Sequence, residues 1–313
     1  MTFAFIFPGQ GSQAVGMGQE LAAAFPVAGD AFQEIDDALG ENLSKLMFEG
    51  PEDVLTLTEN AQPALMAVSL AVMRVLESEG GLDLGSKAKY VAGHSLGEYS
   101  ALAAAGTFSL ADTSRLLKTR GRAMQEAVPV GEGAMAALLG LDMDVASKVA
   151  DEAGQGEICT TANDNANGQV VISGAKAAVE RAIEIAKDNG AKRCVLLPVS
   201  APFHCALMAP AADIMAEALS GIRMNAPVVP LVANVTASDV SDAAKIRRLL
   251  VEQVTGMVRW RESVLYMRDN GVDQLVEIGA GKVLSGLARR IDRDMTAQSI
   301  GTPEDVETFL KSL

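Results

Sequence analysis

Apolar positions along this chain of 313 residues follow two rhythms. Short runs bounded by Gly, Pro or charge predict strands, and longer stretches with a 3.6-residue period predict helices. Residues 3–7 (FAFIF) predict a buried strand that runs into the glycine-rich loop PGQGSQ. With no basic stretch before it and no small-residue cleavage site, this start predicts a strand and not a signal peptide. Helical patterns continue to about residue 80. The segment PALMAVSLAVMRVLESEG is apolar nearly all round at its start, which predicts a central helix. Residues 88–92 (AKYVA) predict a second strand. Helices resume at Ser95 and again at Ser109, a serine placed to cap.

Between 131 and 199 the rhythm changes. Strands are predicted at 133–139, 157–162, 169–173 and 192–197, and helices near 143–153 and 175–188, with NDNANG as the turn between the second and third strands. The order β-α-β-β-α-β is the ferredoxin-like pattern. A helix from about 205, a strand near 229–233, further helices, a strand at 273–278 and a terminal helix complete the chain. Alternating strands and helices predict a mainly parallel sheet. The expected fold is α/β: a large α/β-hydrolase-like domain from residues 1–128 and 200–313, and an inserted small ferredoxin-like domain at 129–199.

Composition narrows the function. The net charge is −14, which argues against nucleic acid or anionic membrane surfaces as partners and requires local Lys or Arg for any anionic substrate. No apolar run reaches the roughly 18 residues of a membrane span. The three cysteines, Cys159, Cys194 and Cys205, lack the spacing of a zinc site. An odd number of them predicts reduced thiols and a cytoplasmic protein.

Candidate chemistry gathers in VAGHSLGEYS. Gly93-His94-Ser95-Leu96-Gly97 is G-x-S-x-G, with a strand pattern leading in and a helical pattern leading out. In that context the serine sits on a sharp turn, as a nucleophile does. The competing reading is a serine N-cap after a glycine turn. A nucleophilic Ser95 needs a base, and only His94 and His204 exist. Adjacent side chains on such a turn diverge, which disfavours His94. His204 lies in PVSAPFHCALM, in a loop before a helix, where an imidazole tends to stay neutral and so able to accept a proton. A capping or core histidine is the alternative there.

Gly9-Gln10-Gly11-Ser12-Gln13-Ala14 satisfies a lenient dinucleotide fingerprint. Residues 26–39 nevertheless look helical where that unit needs a second strand, so the Rossmann reading is rejected. In SLADTSRLLKTRGRAMQEAV the apolar stripe runs through Leu110, Leu117, Met124 and Val128, and Arg120 falls within it. An inward arginine either pairs with an internal carboxylate or awaits an anionic ligand.

Six segments, PGQGSQ, QPAL, GHSLGEYSAL, TRGRAMQEA, PVSAPFH and EIGAGKVLSGL, occur in this order. Together they resemble the malonyl-CoA:acyl carrier protein transacylase family of type II fatty acid synthesis, over essentially the whole chain. The resemblance implies Ser95 as nucleophile and His204 as general base and acid. It further implies the backbone N–H groups of Gln10 and Leu96 as the oxyanion hole, Arg120 as the clamp on the malonyl carboxylate, and the backbone carbonyl near Gln253 as the group that orients His204. It implies no cofactor and no metal. Malonyl-CoA and the phosphopantetheine-bearing holo-acyl carrier protein would be the substrates and partners. Gly279-Ala280-Gly281-Lys282 departs from the family's usual GPGK, with no catalytic consequence expected, and Phe203 matches malonyl-specific members. Two alternatives stand beside this reading: a serine esterase or thioesterase, and an acyltransferase of a polyketide route. An acidic carrier protein docking on an acidic chain needs a basic patch. The available clusters are Lys282, Arg289, Arg290 and Arg293, and Lys192 with Arg193.

Overall fold

The computed structural model describes residues 2–311 and contains two sheets. Strands in chain order are β1 (Phe3–Phe7), β2 (Ala88–Gly93), β3 (Gly133–Leu139), β4 (Cys159–Ala166), β5 (Gln169–Ala175), β6 (Arg193–Leu196), β7 (Leu231–Ala233), β8 (Ser238–Val240), β9 (Gln274–Ile278) and β10 (Thr296–Ile300). The larger sheet has the order β10-β9-β1-β2-β7-β8. Its pairings are parallel except for β7 with β8. The smaller sheet has the order β4-β5-β3-β6 and is antiparallel throughout, the arrangement of a ferredoxin-like unit. The α/β class, with a mainly parallel sheet and a small antiparallel one, is as the patterning predicts.

Alternation along the small sheet explains its position. Ala134, Ala136 and Leu138 of β3, with Val170 and Ile172 of β5, pack on the helices Met143–Gly154 and Lys176–Asp188. The residues between them, Met135 and Val171, point the other way, into a cavity that also holds Ser95. One face of the small sheet is thus its own core and the other is a wall of the site.

Three local readings need correction. The helix after Ser95 begins at Gly97, because Ser95 itself occupies a left-handed turn. The turn in NDNANG is shorter than predicted, since Asn163 to Ala166 belong to β4 and extend a strand expected to end at 162. Two strands were missed. β8 is three residues long, and β10 (TAQSI) is an edge strand with only Ile300 buried, so neither shows an apolar run.

The helix Thr58–Gly80 is buried along most of its length, as its all-round apolar character predicts. The helix Leu110–Glu126, capped by Ser109, crosses it. At that crossing a Cβ on Gly121 would stand 2.5 Å from the Thr58 carbonyl oxygen and 2.6 Å from the Glu59 Cα. The approach therefore depends on hydrogen at this position, one residue from Arg120. Gly121→Ala forces the helices apart, and overpacking of this kind costs about 1–3 kcal/mol. Urea unfolding of the variant should show that loss, and an unchanged midpoint would remove the close crossing as a constraint.

Candidate active site

The site starts at the carboxyl ends of two neighbouring parallel strands. β1 ends in the loop that carries Gly9 and Gln10, and β2 ends at Gly93, two residues before Ser95. Ser95 has φ 54, a left-handed conformation unusual for a side-chain-bearing residue. The flanking glycines make the turn possible. A Cβ on Gly93 would lie 1.9 Å from the Gly97 carbonyl carbon, and one on Gly97 would lie 2.2 Å from the Phe7 carbonyl oxygen. Asn234, just after β7, holds the turn from beneath. Its Oδ1 accepts from the Ser95 N–H at 2.9 Å, and its Nδ2 donates to the Gly93 carbonyl at 2.7 Å.

Ser95 Oγ lies 2.8 Å from His204 Nε2, and His204 Nδ1 lies 2.9 Å from the Gln253 carbonyl oxygen. Gln253 stands near the end of the helix Ala243–Thr255, where carbonyl groups lack helical partners and carry the negative end of the helix dipole. Donation from Nδ1 to this carbonyl leaves Nε2 as the acceptor of the serine proton. Burial pushes His204 down to about 3, and the Arg120 charge adds to that effect, while the bond to the Gln253 carbonyl opposes it. The cause of a neutral His204 is thus burial first and a nearby cation second, where the sequence suggested a helix N-terminus. The short 3-10 turn Ala206–Met208 separates His204 from the helix Ala209–Ser220.

His94 points away from the serine. Its Nε2 lies 2.8 Å from Asn165 Oδ1 of β4, and its ring packs on Trp260 with centroids 5.8 Å apart. Gly9 lies against it closely enough that a Cβ there would meet His94 Nδ1 at 2.9 Å. This close approach accounts for the first glycine of the loop. The helix Pro26–Leu39 occupies the place where a dinucleotide fold needs a strand.

Arg120 is 1% exposed. Its Nη1 donates to Gln62 Oε1 at 2.9 Å, and its Nη2 donates to Gln253 Oε1 at 2.8 Å and to Ser95 Oγ at 3.1 Å. The guanidinium lies over the Tyr99 ring, 5.7 Å from its centroid. Its Nε has no hydrogen-bond partner among the described residues. No carboxylate touches the guanidinium among the described residues. The backbone N–H groups of Gln10 and Leu96 also make no hydrogen bond among the described residues, and both residues line the same cavity as Ser95, Arg120 and His204. That cavity has a volume of about 410 Å³.

The structure therefore brings together all six residues singled out in the sequence: Gln10, Ser95, Leu96, Arg120, His204 and Gln253. It adds Gln62, Asn234, Asn165 and Glu98, which the sequence reading passed over. Glu98 is the one charged residue of the helix Gly97–Ala104, and Asn234 follows an apolar strand directly. Both signals were present in the sequence. Of the basic clusters, Arg289 and Arg293 line a separate surface depression beside β10, and Arg290 donates to Gln169 Oε1 of the small sheet. No group of His, Cys, Asp and Glu among the described residues is arranged to hold a metal ion.

Residues 4–302 match the family described as acyl transferase domain. The chain belongs to the acyl transferase domain family. It is 48% identical to the malonyl CoA-acyl carrier protein transacylase of Escherichia coli strain K12, over 99% of each chain. A crystal structure of acyl-carrier-protein-S-malonyltransferase from Bartonella henselae is 59% identical and superposes with a TM-score of 0.97, over 100% of this chain and 99% of that one. A malonyl-transacylase solved in complex with a type II PKS acyl-carrier protein is 46% identical, with a TM-score of 0.96 over the whole of both chains.

For this acyl transferase the depressed His204 has a pH signature. Its folded value near 3 lies below the ordinary 6.5, so the unfolded chain binds the extra proton between those values. The stabilising contribution is complete above pH 6.5 and is lost as pH falls toward 3. His204→Ala should flatten the fall in Tm between pH 6.5 and 4. It should also cut turnover by roughly 10²–10⁴-fold, the range for a positioned acid–base group. His94→Ala should spare more of the rate. Scanning calorimetry and initial rates across pH check both, and an inactive but folded His94 variant beside an active His204 variant would reverse the assignment.

Proposed function

We propose that this protein transfers a malonyl group from malonyl-CoA to the phosphopantetheine thiol of holo-acyl carrier protein, through a malonyl ester on Ser95, and so supplies extender units for fatty acid synthesis. The observation that carries this reading is the distance of 3.1 Å between Arg120 Nη2 and Ser95 Oγ. A buried cation that close to the nucleophile suits an acyl group whose carboxylate is one methylene from the carbonyl carbon. Malonyl has that form. The relatives' names agree with it.

In this reading His204 Nε2 takes the Ser95 proton as Oγ attacks the thioester carbonyl. The N–H groups of Gln10 and Leu96 hold the oxyanion. As the C–S bond breaks, His204 returns the proton to the departing CoA sulfur. The carrier thiol then gives its proton to His204 and attacks the ester, and Ser95 leaves with that proton. One thioester replaces another, so the proposed reaction uses no metal or redox cofactor. Residues 129–199 act as an inserted small domain over the site, borne by a large domain of residues 1–128 and 200–313. The setting is cytoplasmic; no helix among the described residues is long and apolar enough to cross a membrane.

Mass spectrometry tests the reaction. Incubation with malonyl-CoA should add one malonyl group at Ser95, and holo-carrier protein should remove it with transfer to the carrier. Loss of the adduct to water without a carrier would instead mark an esterase. Arg120 tests the substrate. Removing one partner of a buried, hydrogen-bonded charge pair costs about 2–5 kcal/mol, or roughly 30-fold to several thousandfold in kcat/KM for malonyl-CoA. Arg120→Ala should show that loss and leave acetyl-CoA little affected. Arg120→Lys should restore malonyl preference only partly, because an ammonium lacks the two-pronged fork. Equal losses for both thioesters would return Arg120 to a purely structural role.

A further inference from the structure

Glu98 is fully buried; its backbone N–H donates to the Ser95 carbonyl at 3.1 Å, while its carboxylate bonds to none of the Ser95, His204 and Arg120 side chains among the described residues and instead meets the groups that hold all three. One oxygen, Oε1, accepts from the backbone N–H of Asn234 at 2.5 Å, and the other, Oε2, accepts from the Gln253 side-chain amide. Asn234 in turn bridges the Ser95 N–H and the Gly93 carbonyl across the strained turn. Gln253 places three groups at once. Its backbone carbonyl meets His204 Nδ1, its Oε1 accepts from Arg120 Nη2, and its Nε2 donates to the Ser95 carbonyl at 2.9 Å. The Gln253 amide cannot be reversed without setting its NH₂ against the guanidinium. Its Nε2 must therefore find acceptors, and Glu98 is one of them. Both Glu98 oxygens face N–H donors, which is the arrangement of an ionised carboxylate. Burial raises its pKa to about 8, against these two bonds and the Arg120 charge.

We infer that Glu98 is a positioning residue for acyl transfer: its carboxyl group, bonded to Asn234 and Gln253, fixes the serine turn and the histidine-orienting helix end against each other. The inference rests on the malonyl-transfer reading above. A carboxylate in direct contact with Arg120 would neutralise it and compete with an acyl carboxylate. One set back by an intervening amide leaves the face toward Ser95 open.

Glu98→Gln keeps the shape and puts an NH₂ against either the Asn234 N–H or the Gln253 amide, so one donor faces another. A displacement of the reacting groups on the ångström scale costs up to about 100-fold. The variant should lose about 10- to 100-fold in kcat with malonyl-CoA and acetyl-CoA alike, with KM changed by less than about threefold. Circular dichroism and Tm establish that the protein measured is folded. Gln253→Met removes the linking amide but keeps the backbone carbonyl at His204, and it should give the same kcat-selective loss. It decides the matter if Glu98→Gln does not fold. Wild-type kcat in either folded variant, or a loss confined to KM, would overturn the inference. Ser95 acylation of the wild type by malonyl-CoA is run alongside. Its absence would count against the transfer reading itself, whereas its presence with unaffected variants would count against Glu98 alone.

Discussion

A guanidinium at 1% exposure is the constraint on which this structure turns. Taking a charge out of water costs several kcal/mol, and that cost must be met by bonds formed only in the fold. Arg120 meets it with oxygens from two other helices, Gln62 of Thr58–Gly80 and Gln253 of Ala243–Thr255. Glu98, on the helix that follows Ser95, faces the other side of the Gln253 amide. The charge therefore ties four helices to a single point. Compensation remains incomplete, since among the described residues Nε has no hydrogen-bond partner and no carboxylate touches the guanidinium. In the proposed reaction an anionic acyl group supplies what the fold withholds.

The patterning carries most of the fold because the main strands are buried on one or both faces. Phe3–Phe7 reads as a continuous apolar run, Ala88–Gly93 is buried from Tyr90 onward, and the small sheet declares itself through its order of elements. What the pattern hides is at the margins. Thr296–Ile300 is an edge strand paired on one side only and mostly half-exposed, so its residues need not be apolar. Within the site, Ser95 and Arg120 were legible from single-chain physics, since each violates a local rule: a serine between close-packed glycines and a cation in an apolar stripe. His204 was reached by counting histidines, and the oxyanion and histidine-orienting groups came from resemblance. They are backbone N–H and C=O groups, which every residue has, so side-chain identity carries no signal for them. Glu98 was overlooked because its helix was read for its connection to Ser95 and not for its burial.

Two left-handed residues that carry side chains face one another in the site, Ser95 at φ 54 and His204 at φ 59. Strain of this kind costs on the order of 1–3 kcal/mol per residue and persists only where neighbours over-determine it. Asn234 and the paired glycines do this for Ser95. His204 is held through its ring, by the Gln253 carbonyl on one side and the serine hydroxyl on the other. The strain and the hydrogen bonds together set the distance of 2.8 Å between the two groups.

The use of a carbonyl where many serine enzymes place a carboxylate follows from the charge of the proposed substrate. A carboxylate behind His204 would raise the imidazole pKa and add an anion to a cavity meant to admit one. It would also draw on the same Arg120 that the acyl group needs. A carbonyl at a helix C-terminus orients Nδ1–H equally well and offers only a partial negative charge to the imidazolium as it forms. The formal carboxylate of the site, Glu98, lies instead behind an amide and two hydrogen bonds from the chemistry. In this arrangement the orienting carbonyl and the distant glutamate serve one electrostatic requirement: a neutral base beside a cation that is still free to bind.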